Sequence, residues 1–214
     1  MIIIDYIADE IRIMTDWYTD DIFSHDGAER IVHPVSRLIT DPERFRDDSK
    51  ERMASAGMGA VYTRTSRGDG LIKEKQGYRD NVLKRYYDSF HSALGKAVEK
   101  ELSEYGKALI VDCHSFSSTP LPHESDKTFP RPDFCIGADP FHTPDALLGL
   151  SLGYFTDRGF KAKADFPFSI APVPMECWSL NMDEESTEKL PSYNEVKDIV
   201  RGFLSLLYFT YGHS

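Results

Sequence analysis

Leu109-Ile110-Val111-Asp112-Cys113-His114-Ser115-Phe116 is an apolar run that closes on an aspartate, a histidine and a serine, directly after a long helical pattern. Such a run reads as a buried strand that delivers polar side chains to its carboxyl end, where open α/β sheets place their active sites. Imidazole is the commonest neutral metal ligand, and a nearby carboxylate fixes its tautomer and raises its basicity. The alternative for His114 is a histidine hydrogen-bonded in a strand-to-loop turn.

Working outward from this strand, helices and strands alternate. Upstream, Val82, Leu83, Tyr86, Tyr87, Phe90, Leu94, Val98 and Leu102 recur at helical spacing over residues 78–105, and Gly106 supplies the stop. Downstream lie a segment with four prolines over residues 117–132 and a short strand at Phe134–Gly137. A helix opening at Thr143-Pro144, a strand at Phe160–Ala164 and a last helix over 192–209 follow. Nearer the start, residues 5–23 read as one helix, Arg30–Leu38 as a strand, 45–56 as a short helix stopped at Gly57, and Ala60–Thr63 as a brief strand. This alternation predicts an α/β fold, a three-layer sandwich. No linker or repeat divides the 214 residues, which reads as a single domain over 1–214.

Composition narrows the partners. A net charge of −10 argues against nucleic acid and anionic membrane surfaces, while leaving room for a locally positive pocket. The opening Met1-Ile2-Ile3-Ile4 is too short for a signal peptide, and no run approaches a membrane span. Three cysteines, Cys113, Cys135 and Cys177, lack any zinc-ribbon spacing and suit a reduced, cytoplasmic protein.

Polar clusters supply the remaining candidates. Asp16 and Asp20 are four residues apart and would share a helical face, with a solvated acidic surface as the alternative. Arg37 and Arg44 flank a predicted strand end, and a guanidinium is shaped for bidentate capture of a carboxylate. For Arg44 the competing reading is an ordinary surface ion pair. Asp133 stands at a strand edge, either supporting a site or forming a turn after Arg131-Pro132.

Seven segments occur in one order: Met14-Thr-Asp-Trp-Tyr-Thr-Asp-Asp-Ile-Phe23, Val35-Ser-Arg-Leu38, Asp41-Pro-Glu-Arg-Phe45, Gly57-Met-Gly-Ala-Val-Tyr-Thr63, Asp112-Cys-His-Ser-Phe116, Arg131-Pro-Asp-Phe-Cys-Ile-Gly137 and Pro167-Phe-Ser169. Over residues 8–190 the chain closely resembles the N-formylglutamate amidohydrolase (deformylase) family. The resemblance implies a fold similar to zinc-dependent exopeptidases, a mixed central sheet between helix layers with metal at the strand ends. It also implies hydrolysis of N-formyl-L-glutamate to formate and glutamate, a step of histidine degradation, with a small anionic N-acyl amino acid as the substrate. By resemblance His114 and Asp16 would hold one divalent zinc, Asp112 would orient His114, and Asp133 would lend support. Arg37, then Arg44, would bind the substrate carboxylates.

Two departures from the family pattern fall at the expected site. The family's opening strand, ending in Pro-His-Ser with a further ligating histidine, has no counterpart here. A family strand ending in Ile-Glu-x-Asn-Arg, whose glutamate acts as general base, is expected to be lacking near 170–180. Glu176 is then either that base or an ordinary loop residue. An inactive homologue that binds an acyl amino acid, and a metallo-carboxypeptidase-like hydrolase of another N-acyl amino acid, are the alternative functions.

Overall fold

The computed structural model describes residues 2–72, 76–121, 123–124, 126–139, 141–168, 176–182 and 192–212. In chain order the elements are α1 (Ile2–Met14), α2 (Thr19–Ile22), a 3₁₀ turn (Arg52–Ala56), α3 (Tyr78–Val82), a π-helical turn (Leu83–Tyr87), α4 (Asp88–Tyr105) and β1 (Val111–Ser117). Then come β2 (Phe134–Ile136), α5 (Asp145–Thr156), β3 (Ala162–Ala164), β4 (Glu176–Met182), α6 (Tyr193–Leu207) and a closing π-helical turn (Tyr208–Gly212). They fall into two compact units, residues 1–15 with 29–104, and residues 16–28 with 105–214.

In the first unit, Met14, Leu38, Met58 and Tyr62 form one apolar cluster, and Ala60, Val61, Val82, Leu83 and Tyr87 form another. The buried Glu10 of α1 accepts hydrogen bonds from the amide and the hydroxyl of Ser66. Both carboxylate oxygens are thereby satisfied, which a buried carboxylate requires. Several expectations are corrected here. Residues 30–38 form no strand; the chain turns back at Ser36, whose carbonyl accepts the Ile39 amide at 2.8 Å. Ala60–Thr63 is a buried loop segment touching other backbone through isolated bridges, Met58 with Tyr62 and Arg64 with Gly70. Apolar content there reflects burial and not strand geometry. The predicted helix of 45–56 shrinks to the 3₁₀ turn, which Gly57 ends with φ of 80°. The long helix over 78–105 is present as α3, the π turn and α4 in succession, ended by Gly106 with φ of 72°.

The single helix predicted for 5–23 is instead two. The Thr15 hydroxyl bonds back to the Ile11 carbonyl at 2.6 Å, and Tyr18 adopts a left-handed φ of 62°. A side chain competing for the backbone and a residue outside helical space together end α1. Asp16 therefore lies in the break and Asp20 in α2, so the shared helical face does not exist.

The second unit holds a four-stranded sheet in the order β1-β4-β2-β3. β1 and β4 are parallel, as are β2 and β3, while β2 and β4 are antiparallel. The sheet is mixed, as expected for the fold class. Its core gathers Ile22 of α2, Phe134 and Ile136 of β2, Leu147 and Phe155 of α5, and Val200, Phe203 and Leu207 of α6. Phe134 stacks on Phe155 with ring centroids 3.9 Å apart. Val111 packs against the same cluster, which assigns the odd-numbered face of β1 to the interior at that point.

β4 was not anticipated. The sequence reading expects a strand to be lacking near 170–180, yet Glu176–Met182 run between β1 and β2. The tract Ser-Leu-Asn reads as polar and turn-forming, but a central position satisfies the backbone from both sides whatever the side chains. Ser169 and Pro172–Met175, also weighed from sequence, lie outside the described residues.

Candidate active site

The strand predicted to end at His114 continues for three residues, so Asp112 and His114 sit within β1 and not at its carboxyl end. The alternation of a strand places residues 112, 114 and 116 on one face, opposite Val111. Consistent with this, His114 Nε2 lies 3.1 Å from Asp112 Oδ2. On the other edge of the ring, His114 Nδ1 is 3.7 Å from Asp16 Oδ1. Asp16 is itself aimed by the backbone: its Oδ1 accepts the Ser115 amide at 3.1 Å. The break between α1 and α2 thus serves the site, because it frees Asp16 from helical geometry and lets it reach β1.

The imidazole is mostly shielded, with 13% side-chain exposure, while the two carboxylates keep 22–24%. When Nε2–H donates to Asp112, Nδ1 presents a lone pair towards the Asp16 carboxylate. Two electron-rich atoms facing each other across 3.7 Å suit a shared proton or a metal cation. Tetrahedral zinc with ligands at about 2.0–2.2 Å would separate them by about 3.4 Å. Imidazole nitrogen and carboxylate oxygen are donor types that zinc takes, and Asp112 stands behind the ring as the hydrogen-bond partner that ligating histidines generally have. Asp16 and His114 would supply two of the three protein donors that catalytic zinc sites use.

The other sequence candidates are placed differently. Glu176 is the first residue of β4, paired in register with Val111, whereas the partner of His114 is Ser179. Glu176 is thus three residues along the strand from the level of the imidazole. Asp133 accepts the Lys161 amide at 2.8 Å, and its own amide donates to the Lys161 carbonyl, which fastens the entrance of β2 to the segment before β3. Within the first unit, Arg37 Nη2 stands 3.8 Å from Glu43 Oε1. Arg44 is held between Asp41 at 3.4 Å and Glu51 at 3.7 Å. Burial works against its charge, but Tyr62, Asp41 and Glu51 more than offset that, and the pKa rises above its ordinary value. Arg44 is a half-buried cation compensated by Asp41 and Glu51, the second of which lies seven residues away in sequence.

One arginine that sequence reasoning left without a role stands out. Arg131 has a fully buried side chain paired with Glu124. Nη1 donates to the Ser117 carbonyl at 3.0 Å and to Glu124 Oε1 at 3.4 Å, and Nη2 donates to Glu124 Oε2. Its guanidinium carbon lies 6.0 Å from the Phe116 ring centre and 5.5 Å from that of Phe168. A signal existed in the segment Arg131–Gly137, but nothing in a linear sequence links Arg131 to Glu124 or to the end of β1.

This mixed α/β unit, with its imidazole between two carboxylates, has recognisable relatives among known proteins. The chain belongs to the N-formylglutamate amidohydrolase family, whose model matches residues 7–183. A protein named N-formylglutamate deformylase from Pseudomonas putida is 30% identical over 142 residues, covering 62% of this chain and 52% of that protein. The chain thus spans about half the length of the curated relative it matches. The crystal structure of an N-formylglutamate amidohydrolase from Ralstonia eutropha superposes with a TM-score of 0.79 at 15% identity, over 94% of this chain and 85% of the other. A protein from Agrobacterium tumefaciens superposes with a TM-score of 0.56 at 16% identity, over 80% and 66%. These two likenesses establish the fold. No helix among the described residues is long and apolar enough to cross a membrane.

Proposed function

We propose that this chain carries the catalytic strand of a zinc-dependent amide hydrolase that releases formate from N-formyl-L-glutamate, as the family's name and the curated relative suggest. The observation that carries the reading is His114 held between Asp112 and Asp16 on β1. Asp16 and His114 would hold the metal. When bound, zinc polarises a carbonyl and lowers the pKa of a water at its open position.

The chain's own residues do the rest. Asp112 accepts the Nε2 proton and fixes the ring so that Nδ1 keeps its lone pair. The Ser115 amide orients the Asp16 carboxylate and prevents it from rotating away. Partial shielding of all three groups strengthens their electrostatics relative to open water. In this reading Glu176 is the residue tested first as general base, and Arg37, then Arg44, as carboxylate binders through the substrate KM. A sandwich similar to zinc exopeptidases, a place in histidine degradation and a cytoplasmic setting complete the proposal.

The test is formate release from N-formyl-L-glutamate with added zinc, and with a chelator as control. Chelator-sensitive release supports the reading. A folded, zinc-loaded protein that binds the substrate without turning it over would favour the inactive homologue instead.

A further inference from the structure

The hydrolysis outlined above gives no role to Arg131. A buried arginine that merely closes a loop ordinarily has its donors satisfied. Arg131 Nε is buried without a hydrogen-bond partner, although both terminal nitrogens are engaged. Its carboxylate partner, Glu124, is the side chain of a glutamate, seated on the guanidinium through both oxygens. The chemistry of that contact is the chemistry by which the glutamate moiety of an acyl glutamate would be recognised.

Position supports the same conclusion. Phe116, one of the two rings flanking the guanidinium, follows His114 by two residues on the same face of β1. A strand rise of about 3.3 Å per residue puts it about 7 Å further along. The guanidinium lies beyond that residue, 6.0 Å from its ring centre; the five bonds from formyl carbon to side-chain carboxylate carbon extend about 6 Å, and a hydrogen bond of about 2.9 Å at the carboxylate end adds to that reach. Exchange of one carboxylate for another also never leaves the guanidinium buried and unpaired, the state that makes breaking such pairs costly.

We infer that Arg131 recognises the side-chain carboxylate of the acyl amino acid, and that Glu124 is an internal carboxylate which the substrate displaces. The inference rests on the hydrolase reading above. Glu124 then acts as an intramolecular competitor, which raises the apparent KM by the reciprocal of the fraction of molecules in which Arg131 is free. It also sets specificity, because an uncharged isostere such as N-formyl-L-glutamine cannot displace it.

The test compares wild type with Glu124→Gln, using glutarate as the probe and glutaramide as the uncharged control. Glu124→Gln should melt at a lower temperature without probe, recover on adding glutarate but not glutaramide, and show a KM for N-formyl-L-glutamate lowered about tenfold. A melting loss that glutarate leaves unrestored, with KM equal or higher, overturns the inference and leaves a purely structural ion pair. Should the variant fail to fold, the Nε–H resonance of Arg131 in the wild type, assigned by its loss in Arg131→Lys, gives the answer. A saturable shift with glutarate is expected, and an unmoved resonance overturns the inference. Wild type that releases no formate refutes the hydrolase reading whatever glutarate does. Formate release with no glutarate response at Arg131 refutes this inference alone.

Discussion

Replacing Asp112 by asparagine isolates the hydrogen bond that orients His114. Shape is retained, and the amide oxygen of asparagine can still accept from Nε2, but the negative charge is lost. In the native site the contact is 3.1 Å long, between a 13% exposed imidazole and a 24% exposed carboxylate. Bonds to charged acceptors contribute about 1.5–3 kcal/mol net, and partial exposure keeps this one towards the lower end. If the ring must present Nδ1 to a cation, the loss reappears as weaker metal binding. At 1.4 kcal/mol per tenfold this is about a ten- to hundredfold drop in zinc affinity. The assay is a competitive zinc titration against a chromophoric chelator, with circular dichroism to confirm folding and Asp133→Asn as a control that touches only the Lys161 amide. Zinc affinity unchanged in Asp112→Asn, or lowered equally in Asp133→Asn, would refute the assignment of Asp112 as the orienting group.

Three further outcomes follow from the structure. Phe155 is 2% exposed and stacked on Phe134, so Phe155→Ala should destabilise the sheet unit by about 3–5 kcal/mol, read from the urea midpoint; a loss under 1 kcal/mol would mean the core is not centred there. Arg37→Ala should raise KM for N-formyl-L-glutamate by about 2–4 kcal/mol in binding terms, and an unchanged KM rejects its role as a carboxylate binder. His33 concerns pH: Nε2 bonds the Thr40 carbonyl at 3.1 Å, while Nδ1 is buried without a hydrogen-bond partner. Burial, aided by His91 and opposed by the Thr40 carbonyl and Asp41, depresses the folded pKa below 6.5. The unfolded chain then binds the proton more readily, so this stability is complete above about pH 6.5 and is lost as pH falls below it. Urea midpoints should drop between pH 7 and 5.5 in wild type and drop less in His33→Gln, which keeps a donor for Thr40 without titrating; equal slopes would exclude His33.

What the sequence made legible follows from which interactions are local. The long helix before β1, its glycine stop and the strand carrying Asp112 and His114 were readable because apolar periodicity and a C-terminal glycine are local signals. The break at Asp16 was not, since Thr15 and Tyr18 look helix-compatible until the hydroxyl of one and the left-handed backbone of the other are seen. Position within β1 also escaped, because Ser115, Phe116 and Ser117 continue the strand only by pairing with Leu180, Asn181 and Met182 far along the chain. The same nonlocality hid Arg131. Its significance lies in what surrounds it, namely Glu124, Ser117 and two phenylalanines drawn from three separate stretches. Local pattern therefore located the chemistry on β1, while the groups that aim it and set its charge balance emerged only from packing. That division has a physical basis. A strand can be specified by its own residues, but an orienting carboxylate or a recognising guanidinium is defined by a partner, and partners in an α/β sheet are usually distant in sequence.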